Sequence, residues 1–204
     1  MPTLDFWYDF ASSYSHPAAM TIARRAADAG VEVRWRPFLL GAILNRQRGL
    51  TDIPFAGHDE KLRYVARDLE RTCRAAGVAW TPPSVMPRNS LPALRAALAV
   101  EAEGLSIAAF SRAVFDANFG RDQDIGDVGR LGEILAEIDM PGAAVLQRAQ
   151  TPEIKDALKA QTEEAHTLGV FGAPTFTTPD GELFWGFDHM DEALKWAASP
   201  PQES

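Results

Sequence analysis

LDFWYDFASSYSHPAAMTIARRAADAGVEVRWRPF, residues 4–38, is the stretch on which the fold turns. Leu4 to Phe10 is aromatic-rich and gives way to small residues, which is the pattern of a strand. Ser12 and Ser13 offer hydroxyls for a helix start, and Pro17 suits a first turn, where its missing N–H does no harm. A helix is expected from Ala18 to Ala29, closed by Gly30. Val31 to Phe38 then alternates apolar and polar residues as a second strand, with Pro37 at its end. Strand, helix and strand of these lengths make a βαβ unit.

Downstream the pattern changes. Leu62, Val65, Leu69, Cys73 and Val78 recur at helical spacing until Pro82-Pro83 stops them. Further helices are expected near 90–103, 105–118, 126–138 and 142–168, the last broken at Thr151-Pro152, and no strand pattern lies between about 45 and 168. Thr175 to Thr178, a Pro-Asp-Gly turn and Glu182 to Gly186 then read as a hairpin, with a short helix from Met190 to Ala198. The order βαβ, helices, ββα is that of an α/β, thioredoxin-like fold with an all-helical insertion. The expected division is residues 1–44 and 169–204 for the thioredoxin-like part and 45–168 for the insertion.

The chain has 204 residues, 46% hydrophobic and 24% charged, enough for a sizeable core. A formal charge of −8 argues against a general nucleic-acid binder, which needs a surplus of Lys and Arg. No signal-peptide pattern opens the chain and no stretch reaches the roughly 20 apolar residues of a membrane span. A single cysteine, Cys73, excludes an intrachain disulfide and a Cys-x-x-Cys redox pair, so a reducing cytoplasmic setting is the simplest expectation. The four histidines show no metal-ligand spacing, so no metal is expected.

Three places could carry chemistry. Ser12 lies between a strand end and a helix start, where its hydroxyl could cap the helix for about 1 kcal/mol. At the same place, the positive end of the helix could help a hydroxyl hold a bound thiolate, with Ser13 and Ser15 as competing candidates. Ala173-Pro174 begins a strand; a cis bond there would offer the Ala173 backbone to a bound peptide. Asp188, just before the last helix, could cap it or hold a ligand's ammonium group.

These places fall in order within seven segments: FWYDFASSYS (6–15), WRPFLLGAI (35–43), KLRYVARDLER (61–71), PRNSLPALRAAL (87–98), TPEIKDALKAQTEEA (151–165), GVFGAPTF (169–176) and ELFWGFDHMD (182–191). On them the chain, from about residue 3 to 197, resembles the 2-hydroxychromene-2-carboxylate isomerases, relatives of kappa-class glutathione transferases in the DsbA-like superfamily. The resemblance implies the DsbA/kappa-class architecture, glutathione as cofactor, a small aromatic substrate, and commonly a homodimer. It matches Ser12 to the serine that meets the glutathione sulfur, Ala173 and Pro174 to the residues that pair with its cysteinyl part, Asp188 to the contact for its γ-glutamyl end, and Lys61 to its lysine contact. Ser13 stands where the family has proline, Phe187 where kappa relatives usually have serine, and Asp52 matches an asparagine only loosely. Motif position makes Arg88 and Asn89 candidates for the substrate's carboxylate or keto oxygen.

The implied reaction interconverts 2-hydroxychromene-2-carboxylate and trans-o-hydroxybenzylidenepyruvate in aromatic hydrocarbon breakdown. A thiolate adding to an electron-poor C=C lets the bond rotate and then leaves unconsumed. The rival expectations are a kappa-like transferase that consumes glutathione and a non-catalytic glutathione-binding protein.

Overall fold

The computed structural model describes residues 1–48 and 59–199. β1 (Thr3–Tyr8) is the inner strand that receives β2 (Glu32–Pro37) in parallel, from Thr3 opposite Glu32 to Tyr8 opposite Pro37. On its other side β1 pairs antiparallel with β3 (Thr175–Thr177), which pairs antiparallel with β4 (Leu183–Trp185), for a sheet order β2-β1-β3-β4. Both faces of β1 are covered, which is why its sequence reads as a nearly continuous apolar run. Leu4, Phe6 and Tyr8 enter one core, while Trp7 enters a second with Phe38, Ile43, Ala165 and Val170.

Between β1 and β2 runs α1 (Ser15–Ala29), which starts three residues before the expected Ala18. Pro17 therefore lies inside its first turn, where no helical donor is lost. Gly30 ends the helix at φ 67°, a conformation that side chains resist, and Val31 N–H closes onto the Ala26 carbonyl at 2.9 Å.

Between β2 and β3 the described residues hold helices and no strand: α2 (Leu40–Arg48), α3 (Asp59–Ala76), α4 (Leu91–Ala102), α5 (Ile107–Phe115), α6 (Val128–Glu137), α7 (Gly142–Arg148) and α8 (Pro152–Thr167). α2 has no counterpart among the expected helices, because Phe38 to Ile43 is too uniformly apolar to carry a period. The 105–118 segment splits: α5 ends at Phe115 and a π-helical turn follows, Asp116–Gly120. The break at Thr151-Pro152 is a helix start, with the Thr151 hydroxyl accepting from Ile154 N–H and Pro152 in the first turn. After β4, a 3₁₀ turn (Phe187–His189) leads into α9 (Met190–Ala198). The larger core runs unbroken from Phe6, Phe10 and Ile22 to Leu94, Phe115 and Leu135, so α4, α5 and α6 pack on the same apolar mass as the sheet and α1. Among the described residues no helix is long and apolar enough to cross a membrane.

Candidate active site

The turn between β1 and α1 is fixed from several directions. Asp9, 2% exposed, accepts from Ala11 N–H and Leu40 N–H at 2.9 Å each, and its carboxyl also takes the Ser90 hydroxyl. Burial pushes the Asp9 carboxyl above the ordinary value, against the downward pull of those donors. Ser12 N–H donates to the Asp9 carbonyl at 2.9 Å, and the Phe10 carbonyl accepts the Asn118 amide at 2.8 Å.

The turn presents the Ser12 hydroxyl across the sheet end, where it donates to the Ala173 carbonyl at 2.7 Å. The Ala173–Pro174 bond is cis. Capping is not the job of this serine: the residue flanking α1 is Tyr14, and no side chain caps the helix. Ser15 and His16 N–H donate instead to the carbonyls of Ser12 and Ser13. Ser13, in the place of proline, and Ser15, the other candidates, are both buried, whereas Ser12 is partly open.

Next to this turn, the Tyr14 hydroxyl donates to the Asp68 carboxylate at 2.8 Å and ties α1 to α3. Burial first, and then the bond to Asp68, hold the Tyr14 phenol above its ordinary value; the charges of Asp68 and Asp188 add to the shift. Asp188 is thus near enough to be felt at Tyr14. Lys61 lies on the same stripe of α3 as Asp68, roughly 10 Å along the axis, and is exposed beside Glu60, Tyr64 and Val65 around a shallow depression.

Asp188 itself is exposed, with Oδ1 3.5 Å from His189 Nδ1, and caps no helix. Its carboxylate folds over Gly186, whose φ is 106° and where a Cβ would lie 2.4 Å from Asp188 Oδ1, so a side chain cannot be fitted there without moving it. Phe187 packs on the main core under the Arg25 guanidinium, 5.2 Å from its ring centre, and brings no hydroxyl. Asp52 lies outside the described residues.

Arg88 and Asn89 have internal roles. Arg88 is 8% exposed, and its Nη1 donates to the Asn118 carbonyl at 3.1 Å and side-chain oxygen at 2.9 Å. Its Nη2 reaches the Ser84 hydroxyl and the Asp122 carbonyl at 3.2 Å each, and also pairs with the Asp122 carboxylate. Asn89 is exposed, and its Oδ1 accepts from Leu91 N–H at 3.1 Å where α4 begins.

The structure thus joins Ser12 directly to Ala173, the residue before the cis Pro174. Asp188 is felt at Tyr14 from the last turn, Lys61 lies on α3 about two helical turns from Asp68, and Arg88 lies within the fold. Sequence reasoning missed Asn118 and Asp68 as site supports. Asn118 left no local signal, whereas Asp68 and Tyr14 both lie in the quoted motifs. Cys73 is buried with its thiol pushed up to about 11, an inert core residue.

The chain is 25% identical over 193 residues to 2-hydroxychromene-2-carboxylate isomerase from Sphingobium xenophagum, covering 93% of this chain and 94% of that protein. It is 27% identical over 208 residues to human glutathione S-transferase kappa 1, covering 93% of this chain and 88% of that one. A solved structure of a 2-hydroxychromene-2-carboxylate isomerase superposes with a TM-score of 0.82 at 24% identity, over 92% of this chain and 90% of the other, a likeness of fold. Residues 3–195 match the DSBA-like thioredoxin domain, and the chain belongs to that family.

Proposed function

We propose that this protein is a glutathione-dependent isomerase that interconverts 2-hydroxychromene-2-carboxylate and trans-o-hydroxybenzylidenepyruvate. The observation that carries the reading is the Ser12 hydroxyl, held at the mouth of α1 and 2.7 Å from the Ala173 carbonyl. Glutathione, when bound, supplies a thiolate able to add reversibly to a conjugated C=C.

The chain's own residues suit that cofactor. An extended peptide can pair its N–H with the Ala173 carbonyl, and the Ser12 hydroxyl that now donates there is then released to donate to sulfur. The positive end of α1 favours the anion at the same place. Lys61 offers a cation and Asp188 a carboxylate, complementary to a tripeptide carrying both charges. Cys73 is too buried to compete as a nucleophile, and a chain with one inert thiol suits the reducing cytoplasm.

A kappa-like transferase is the second reading, favoured by the similarity to the human kappa enzyme. The chromene's ultraviolet spectrum, followed with and without glutathione, and the glutathione remaining afterwards, test both. Isomerisation with glutathione fully recovered supports the first reading, and stoichiometric loss supports the second. Binding without turnover of either kind rejects both and leaves a binding protein. Ser12→Ala should slow turnover about tenfold to a hundredfold, the effect of a hydrogen bond to a charged group, with little change in melting because Ser12 caps nothing. Wild-type rate and thiol ionisation in that variant would remove Ser12 from the mechanism.

A further inference from the structure

We infer that Asn118 and Arg88 are positioning residues that set the location of Ser12 by holding the Phe10 carbonyl from the helical part of the chain.

Asn118 is 1% exposed and sits in the π-helical turn Asp116–Gly120. Such turns break the helical ladder and commonly occur at functional sites. Its two side-chain atoms have separate partners: Oδ1 accepts from Arg88 at 2.9 Å, and Nδ2 donates to the Phe10 carbonyl at 2.8 Å. The reversed amide would set NH₂ against a guanidinium and oxygen against a carbonyl, two repulsive contacts, so Arg88 fixes which end of the amide faces the turn.

Arg88 is in turn fixed. It holds the Asn118 backbone carbonyl as well as the side chain, and on its other nitrogen Ser84 and Asp122. Asp122 also accepts from Ser84 N–H at 2.9 Å, and these donors, with Arg88, bring its carboxyl down to about 2. A buried cation requires such a partner set.

The last link lies on the reactive side. Phe10 is two residues before Ser12, and Ser12 N–H is bonded to the carbonyl of Asp9, next to it on the other side. A shift of the Phe10 peptide therefore moves the Ser12 hydroxyl relative to Ala173 and to the end of α1. Packing alone would explain buried polar groups that satisfy one another. It would not require that loosening them alter the electrostatics felt at residue 12.

That difference gives the test. In Ser12→Cys the introduced thiol reports its position through its pKa, because proximity to a helix N-terminus lowers it. Cys73, buried, does not interfere near neutral pH. Alkylation against pH would be measured for S12C, S12C/N118A and S12C/D122N, with melting in parallel. Asn118→Ala should raise the pKa of the introduced thiol by about one unit, a tenfold fall in thiolate at a fixed pH below it. Asp122→Asn, which loosens only the far arm, should act in the same direction by about twofold.

Titration curves that coincide with S12C while melting falls would overturn the inference. If N118A does not fold, D122N decides by the same criterion. The inference rests on Ser12 as the reactive-site serine, but its readout needs no glutathione. Glutathione failing to bind would reject the function and leave the positioning role standing.

Discussion

The turn Asp9–Ser13 and the corner Gly186–His189 both border Tyr14, and they are built in opposite ways. In the turn, Asp9 is buried, its carboxylate has several donors, and the neighbouring carbonyls of Asp9 and Phe10 have partners. In the corner, the Asp188 side chain is 81% exposed, lying over Gly186 and 3.5 Å from a ring nitrogen of His189. On the proposed function, the contrast separates two tasks. A group that must meet a reacting atom gains from being fixed beforehand, because nothing then reorganises during the reaction. A group that recognises the charged end of a flexible peptide needs only to be near and of the right sign.

The largest expected effect comes from unfastening the turn. Asp9→Ala leaves Ala11 N–H, Leu40 N–H and the Ser90 hydroxyl without their shared acceptor and should cost about 3 kcal/mol of stability, read by urea unfolding. A loss below about 1 kcal/mol would mean that the turn does not depend on this carboxylate.

A smaller effect concerns His16, just past the turn. It is fully buried against Trp80, Phe115 and Phe119, with Nε2 2.8 Å from the Ala79 carbonyl. Burial lowers its pKa below the ordinary 6.5. Its folded pKa is thus below its unfolded one, so between the two the unfolded chain binds more protons. Stability from this residue is full above pH 6.5 and falls as the pH drops through the window beneath it. His16→Phe keeps an aromatic in the nest and should flatten the acid-side slope of urea unfolding between about pH 7.5 and pH 5. An unchanged slope would assign the acid sensitivity to other groups.

The same contrast governs what could be read from the sequence. The β1 run, the Gly30 stop and the Pro-Asp-Gly hairpin are local features whose residues state their own conformation. So is α3, whose apolar residues recur at helical spacing. Ser12 and Asp188 were legible because they sit in contiguous motifs. Asn118 was not, since its partner Phe10 is 108 positions away and nothing in DANFG announces a π turn. Arg88, picked out by motif position alone, shows the same limit. Only the fold brings Asn118 and Asp122 to meet it inside. Side chains fixed by distant partners are the ones a linear reading loses.

The smallest effect on stability, and the sharpest test of the contrast, belongs to Asp188→Asn. Its side chain has almost no partner to lose, so urea unfolding should agree with wild type within about 0.5 kcal/mol. Glutathione binding should nevertheless weaken about threefold, because an exposed ion pair is worth less than about 1 kcal/mol. Added salt decides whether that loss is electrostatic. Screening weakens exposed pairs, so the gap in affinity between wild type and variant should narrow as ionic strength rises, while Lys61 acts equally in both. If the variant instead unfolds well below wild type, the corner is structural and the opposition to the turn collapses. If both proteins bind alike at low and high salt, Asp188 recognises nothing, and selection of the tripeptide rests on Lys61 and the Ala173 backbone.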